Sequence, residues 1–229
     1  MRTEIISLPR IFLSCILLSL SLHTTYANTA EELPIECKTD CATPYGEVLG
    51  VSPGGINAYS NCQDSCVNPE RNTWKNTYTG IKWQCVEYAR RWLLVNKGAV
   101  YGDVDTAADI WNEIDHLTDV ESNRSLPLES RLNGSEHAPQ VGDLLIYASA
   151  FHGTGHVAVV TDVDIANGFI EVGEQNYNNE PWPADFARKI HLFKTNNNYW
   201  LIDENLIGWK HITNTATTRS VSTVYADGR

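Results

Sequence analysis

The chain has 229 residues and a mass of 25.6 kDa; 42% of its residues are hydrophobic and 20% are charged. This composition is typical of a globular protein and excludes a collagen-like, coiled-coil or wholly disordered chain. Seventeen basic against 28 acidic residues give a formal net charge of −11, which argues against a nucleic-acid backbone or an anionic membrane surface as the main partner.

The first 27 residues have the pattern of a cleavable secretory signal peptide. Arg2 and Arg10 supply positive charge, an apolar run extends from Ile11 to Leu22, and the stretch ending at Ala27 suits a signal peptidase. A membrane anchor is the alternative, but the run is well short of the roughly 20 residues that span a bilayer. We therefore predict an exported protein, secreted or periplasmic, without stable membrane insertion after cleavage.

Five of the six cysteines remain after the predicted cleavage, and four of them form a twin C-x₃-C pattern: Cys37, Cys41, Cys62 and Cys66. In an exported chain this pattern predicts two disulfides, most simply the nested pairs Cys37–Cys66 and Cys41–Cys62 among three possible connectivities. A Cys₄ zinc site is the alternative, although zinc sites more often use C-x₂-C spacing. Cys85 is left over, which indicates pairing between chains, a chemical role or a buried core thiol.

The segment 83–96, which contains Cys85, has the pattern of a buried helix. Two apolar stripes recur at helical spacing, and Gly98 is a natural helix stop. The preceding Thr79-Gly80 is predicted as loop, so Cys85 falls in the first turn of the helix. Unpaired backbone N–H groups and the helix dipole lower the pKa of a thiol there and can stabilise an oxyanion beside it.

A thiolate nucleophile needs a histidine that exchanges its proton, and among seven histidines His156 is the best placed. It opens a predicted strand over residues 156–163, directly after the turn Gly153-Thr154-Gly155. His152 lies four residues earlier, but the glycine turn between them breaks the helical spacing that a metal pair at this separation would need. We therefore predict no metal site.

Two further predicted strands, at 142–147 and 169–174, flank the strand of His156. Glu174 continues the apolar face of the second strand at a period of two, and a charged residue on such a face needs a partner. His156 on the neighbouring strand would satisfy it. Asn176 is the alternative residue to orient the histidine, and a solvated Glu174 is the alternative without a function.

These segments, in this order, resemble the cysteine- and histidine-dependent amidohydrolase/peptidase (CHAP) family. The most specific stretches are KWQCVEYARRWLLVNKG at 82–98 and GTGHVAVVTD at 153–162. The resemblance implies a papain-like α+β fold, in which an antiparallel sheet packs on the helix that carries the nucleophile. We therefore divide the chain into a signal peptide (1–27), an amino-terminal segment with cysteines (28–43), a CHAP amidase domain (44–212) and a disordered tail (213–229).

The resemblance also implies roles for individual residues. Cys85 matches the nucleophile of the family, His156 its general base and Glu174 the residue that orients the base. A second group is predicted to bind the oxyanion or the substrate: Gln84, Arg90 and Asn176. Gln84 matches a side chain of the oxyanion hole, and Arg90 matches a position that can hold a substrate carboxylate.

The implied reaction is hydrolysis of an amide bond through a thioester acyl-enzyme on Cys85, with no metal or organic cofactor. The motifs favour a glutathionylspermidine-like polyamine amide as substrate, whereas export favours a peptide of peptidoglycan. We expect a monomer that binds no nucleic acid. A non-catalytic CHAP-fold binding module at the cell envelope is the alternative, along with a disulfide-stapled structural protein; the complete Cys–His–Glu set argues against the binding module.

Overall fold

The computed structural model describes residues 32–213. The predicted signal peptide (1–27) and nearly all of the predicted tail (213–229) lie outside the described residues. Within the described part of the chain, no helix is long and apolar enough to cross a membrane.

Strands outnumber helices in the described chain. The helices are a short 3₁₀ helix at Ile35–Cys37, α1 at Cys85–Lys97 and α2 at Ile110–Glu113. Two hairpins precede α1 in the chain. The first consists of β1 (Val48–Ser52) and β2 (Ile56–Tyr59), and the second of β3 (Arg71–Trp74) and β4 (Thr77–Ile81). The remaining strands are β5 (Ala99–Val100), β6 (His116–Asp119), β7 (Ser125–Leu132), β8 (Leu144–Tyr147), β9 (His156–Asp164), β10 (Phe169–Gly173), β11 (Arg188–Thr195), β12 (Asn198–Ile202) and β13 (Leu206–Ile212).

The last nine strands form one antiparallel sheet in the order β12-β11-β10-β9-β8-β13-β7-β6-β5. The edge of β12 is covered by the segment that follows β7: Gly134 N–H donates to the Tyr199 carbonyl at 2.9 Å, and Tyr199 N–H donates to the Ser135 carbonyl at 2.7 Å. The sheet therefore curls back on itself, which protects backbone groups that an open edge would expose.

Side-chain alternation along β8 divides the core into two clusters. Leu144 and Ile146 pack in the cluster that contains the buried face of α1, whereas Leu145 and Tyr147 pack in the cluster enclosed by the curled strands. The prediction of an α+β fold, with an antiparallel sheet packed on the helix of Cys85, is confirmed.

The helix α1 begins at Cys85 and ends at Lys97, close to the predicted 83–96. Gly98 ends it with a φ of 66°, and its N–H donates to the Leu94 carbonyl. The prediction of a loop at Thr79-Gly80 is wrong, because pairing with β3 draws these residues into β4. A Cβ at Gly80 would lie 2.9 Å from Glu87 Cα, so glycine lets β4 touch the first turns of α1.

Two disulfides, Cys37–Cys66 and Cys41–Cys62, fasten the amino-terminal segment to the loop after β2. This is the nested pairing that was predicted from the sequence as the simplest of the three connectivities. The bonds occupy the four thiols that the alternative zinc site would need. Cys85 is the free cysteine of the described residues.

We expect the double substitution Cys41→Ser/Cys62→Ser to lower the free energy of unfolding by about 2–4 kcal/mol, because the cross-link restricts the unfolded chain. Urea unfolding of the oxidised proteins measures this difference. Cys85→Ser is the matched control, since it removes a thiol without removing a cross-link. A double variant as stable as the wild type would contradict the expectation.

Candidate active site

Cys85 and His156 meet where the start of α1 packs against the start of β9. Each is the first residue of its element. Cys85 is 8% exposed and His156 1% exposed. The groups that act on the thiol and lower its pKa are the imidazole of His156 and the backbone N–H groups of Val86 and Val157. The helix start predicted for Cys85 therefore brings it to the histidine predicted as its partner.

The two side chains change each other's ionisation. Burial raises the pKa of the Cys85 thiol, but the charge and hydrogen bond of His156, together with the two backbone N–H groups, bring the pKa below its ordinary value. Burial lowers the pKa of His156, but Cys85 and Glu174 raise that pKa to about 9. Both directions favour a thiolate–imidazolium pair at neutral pH.

Glu174 lies directly after β10 and supplies a carboxylate behind His156. Its Oε2 lies 2.9 Å from His156 Nε2, which leaves Nδ1 of the ring to face Cys85. The other oxygen, Oε1, accepts a hydrogen bond from Arg188 Nε at 2.6 Å. Burial raises the pKa of this 3% exposed carboxyl, but Arg188 and His156 bring the pKa below its ordinary value. The predicted contact between Glu174 and His156 is present in the structure.

Aromatic rings surround the imidazole of His156. The ring centroids of Tyr147 and Phe151 lie 5.5 Å from that of His156, and the centroid of Tyr177 lies 5.4 Å away. These rings exclude water from one side of the histidine. Electrostatic interactions with Cys85 and Glu174 are stronger for that reason.

Gln84, which precedes Cys85, belongs to a ring of amide groups with Asn176, Asn179 and Asn61. Asn176 Nδ2 donates to Gln84 Oε1 at 2.9 Å, and Asn179 Nδ2 donates to Asn176 Oδ1 at 3.3 Å. Asn61 N–H donates to Asn179 Oδ1 at 2.7 Å, and Gln84 Nε2 donates to Asn61 Oδ1 at 3.4 Å. Asn176 therefore contacts Gln84 and not His156. The residue hydrogen-bonded to His156 is Glu174, for which Asn176 was the predicted alternative.

The Gln84 amide has a second acceptor, the Cys66 carbonyl, at 3.1 Å from Nε2. Both hydrogens of this amide therefore have protein acceptors. For Gln84 to take the predicted role in the oxyanion hole, one hydrogen has to exchange its acceptor for the substrate oxygen. The contact also places the disulfide-bonded segment directly against the residue before the nucleophile.

Arg90 has a partner that the sequence analysis did not anticipate. Its Nη1 donates to Asp103 Oδ1 at 2.7 Å, and its guanidinium lies over the rings of Tyr78 and Tyr101. Because Asp103 neutralises its charge, Arg90 is not presented as a free cation for a substrate carboxylate. The predicted carboxylate-binding role of Arg90 therefore has no support in this arrangement.

A cavity of about 440 Å³ opens beside Cys85. Three acidic residues, Asp103, Asp105 and Glu113, contribute to its wall, and within residues 32–213 only Asp103 is paired with an arginine. Apolar side chains that include Val67 and Ala107 complete the lining. Acidic side chains therefore share the wall of this cavity with Cys85.

Arg188 is a further residue of the site, for which the sequence predicted no role. It begins β11, and the antiparallel register places it opposite Val172 in β10, two residues before Glu174. No strand was predicted over 188–195. A predicted strand there, paired with the one at 169–174, would have been needed to anticipate this contact.

Residues 75–176 match the family model of the CHAP domain, a range that includes Cys85, His156 and Glu174. The chain is 36% identical over 177 residues to trypanothione synthetase of Crithidia fasciculata, which covers 77% of this chain and 27% of that protein. It is 35% identical over 181 residues to the bifunctional glutathionylspermidine synthetase/amidase of Escherichia coli (strain K12), which covers 72% of this chain and 29% of that protein. The chain thus matches less than a third of the length of these relatives. Through residues 75–176, the chain belongs to the CHAP domain family.

Proposed function

We propose that this protein is an exported cysteine amidohydrolase that cleaves an amide bond through a thioester on Cys85. The observation that carries the proposal is the buried series Cys85–His156–Glu174, in which an ionised carboxylate holds the histidine and the histidine lowers the pKa of the thiol. The series lies beside a cavity that Cys85 helps to line. A binding module without turnover needs none of this ionisation.

In the first half of the reaction, the Cys85 thiolate attacks the carbonyl carbon of the amide. The first turn of α1 has backbone N–H groups without intrahelical acceptors, and these stabilise the negative oxygen of the tetrahedral intermediate. His156 then donates its Nδ1 proton to the departing nitrogen. The C–N bond breaks, the amine leaves, and the acyl group remains on the sulfur as a thioester.

In the second half, neutral His156 accepts a proton from a water molecule as the water oxygen attacks the thioester carbon. The C–S bond breaks, the carboxylic acid leaves, and the thiolate–imidazolium pair is restored. Glu174 keeps the ring orientation through Nε2 in both halves, so that Nδ1 faces the reacting atoms.

Two observations support export. Residues 1–27 have the signal-peptide pattern, and the two disulfides fit an oxidising compartment. Export in turn favours a substrate outside the cytoplasm, such as a peptide of peptidoglycan.

We propose further that the substrate carries a positively charged group close to the scissile bond. The support is the acidic wall of the cavity, where Asp105 and Glu113 have no arginine partner among the described ion pairs. The Escherichia coli relative is named as a glutathionylspermidine amidase, and spermidine is a cationic polyamine. A stem peptide with a free side-chain amine satisfies the same electrostatic requirement.

The thiol chemistry is testable without a substrate. We expect Cys85 to react with iodoacetamide already below neutral pH, because His156 stabilises its thiolate. His156→Ala is expected to move the rise in alkylation rate to the ordinary thiol range, near pH 8.5 or above. Peptide mass spectrometry assigns the labelled cysteine. A wild-type rise only near pH 8.5 would contradict the proposed ion pair.

The same pair predicts a bell-shaped dependence of kcat/KM on pH. Activity rises as Cys85 ionises, because only the thiolate attacks. This rise lies at a pH below the ordinary thiol range, because the pKa of this thiol is lowered. Activity declines again near pH 9, where His156 loses its proton, because a neutral imidazole cannot protonate the departing amine. An alkaline limb near pH 6.5 would show that the charge of His156 is not stabilised.

Substitutions separate the roles of the three residues. We expect Cys85→Ala and His156→Ala to abolish turnover, and Glu174→Gln to lower kcat by roughly 10²-fold or more because the ring loses its orientation. Glu129→Gln is the control, since Glu129 also pairs with an arginine but on β7. Unchanged activity in Glu174→Gln would remove Glu174 from the proposed series.

The substrate is tested with oxidised protein of residues 28–229 and Cys85→Ala as the blank. Glutathionylspermidine and soluble peptidoglycan fragments are incubated separately, and products are identified by mass spectrometry. We expect cleavage of a substrate with a free amine and a higher KM in the Asp105→Asn/Glu113→Gln variant. Acetylation of the substrate amine should produce a similar rise in KM with the wild type; equal KM values in all these cases would exclude the cationic preference.

A further inference from the structure

We propose that Arg188 is a positioning residue that fixes Glu174, and through it His156, and that Tyr147 and Asp203 hold Arg188 in place. The inference rests on the proposed catalytic series of Cys85, His156 and Glu174. The supporting observation is that the buried carboxylate of Glu174 contacts both the imidazole of His156 and the guanidinium of Arg188. The guanidinium has further hydrogen-bond partners of its own.

The carboxylate of Glu174 is shared between two cationic side chains. Oε2 faces His156 Nε2 at 2.9 Å, and Oε1 accepts from Arg188 Nε at 2.6 Å. A second guanidinium nitrogen, Arg188 Nη2, lies 3.4 Å from Oε2. Rotation of this buried carboxylate would break one of these contacts, so Arg188 fixes the plane in which Glu174 meets the imidazole.

Arg188 is in turn held by groups from other strands. Its Nη1 donates to Asp203 Oδ2 at 2.7 Å, and its Nη2 donates to the Tyr147 hydroxyl at 2.9 Å. The Tyr147 hydroxyl donates to the same Asp203 oxygen at 2.7 Å, and the guanidinium lies 4.0 Å from the centroid of the Tyr177 ring. A lysine at this position would carry the charge but could not make the forked contacts.

Charge balance gives Arg188 a role beyond packing. The ionisable groups that interact with Glu174 come from several elements: His156 on β9, Arg188 on β11, Tyr147 on β8, Tyr88 on α1 and Tyr177 after β10. Cys85 interacts with His156, and Asp203, after β12, interacts with Arg188. Without Arg188, Glu174 would keep His156 as its cationic partner, and Asp203 would keep the hydrogen bond from the Tyr147 hydroxyl. Loss of a positive charge makes every neighbouring group harder to deprotonate, so the carboxylate and the thiolate would both need a higher pH to form.

The test compares Arg188→Gln and Arg188→Lys with Arg131→Gln as the matched control, because Arg131 makes an equally short ion pair with Glu129 on β7. The pH dependence of Cys85 alkylation and of kcat/KM is measured for each. In Arg188→Gln we expect the acid limb of both profiles to move up by about one pH unit, with a lower kcat and little change in KM. Arg188→Lys should keep the acid limb close to that of the wild type and recover part of kcat, and Arg131→Gln should leave both profiles in place.

Superimposable profiles for Arg188→Gln and the wild type would overturn the inference, even if the variant melts at a lower temperature, because a purely structural role does not move a titration. If Arg188→Gln does not fold by circular dichroism, Arg188→Lys decides the question, and an unchanged kcat in that variant overturns the inference. The alkylation profile needs no substrate. It therefore tests Arg188 even where the wild type cleaves none of the amides offered, an outcome that would count against the proposed function alone.

Discussion

The contact between Cys85 and His156 joins the first residue of α1 to the first residue of β9, and the surrounding structure serves to hold that contact. Two buried charges are unfavourable unless each faces an opposite charge or a hydrogen-bond donor. Here the thiolate faces the imidazolium and two backbone N–H groups, and the imidazolium faces Glu174. The packing of α1 on the sheet therefore fixes the chemistry as well as the fold.

The start of α1, which carries Cys85, is also held by polar groups outside the series Cys85–His156–Glu174. Gln175 Nε2 donates to the Gln84 carbonyl at 3.3 Å and to Glu87 Oε2 at 3.1 Å, while Arg91 Nε donates to Glu87 Oε1 at 2.7 Å. These buried bonds tie the start of α1 to the end of β10. Together with the Cys66 carbonyl on Gln84, they leave the helix start little freedom to move, which preorganisation of an oxyanion site requires.

Residues outside the series Cys85–His156–Glu174 determine the charge and the shape of the surroundings of Cys85. Arg90 is already paired with Asp103, and among the described ion pairs the other acidic residues of the cavity wall, Asp105 and Glu113, have no such partner. The disulfide-bonded segment contributes Val67 to the same cavity and the Cys66 carbonyl to Gln84. The cysteines that stabilise the amino-terminal segment thus also shape the surroundings of the nucleophile.

Local pattern was enough to predict the helix that begins near Cys85, the strand that opens with His156 and the face shared by Glu174, because apolar periodicity and turn residues act within a few positions along the chain. It also made the nested disulfides the simplest pairing. Only the tertiary structure decided that Arg188 lies against Glu174, that Asp103 takes Arg90 and that Thr79-Gly80 pairs as a strand. Those contacts depend on strand register and on helix–sheet packing. Both bring together residues that are distant in sequence, and the local sequence around each residue does not predict the contact.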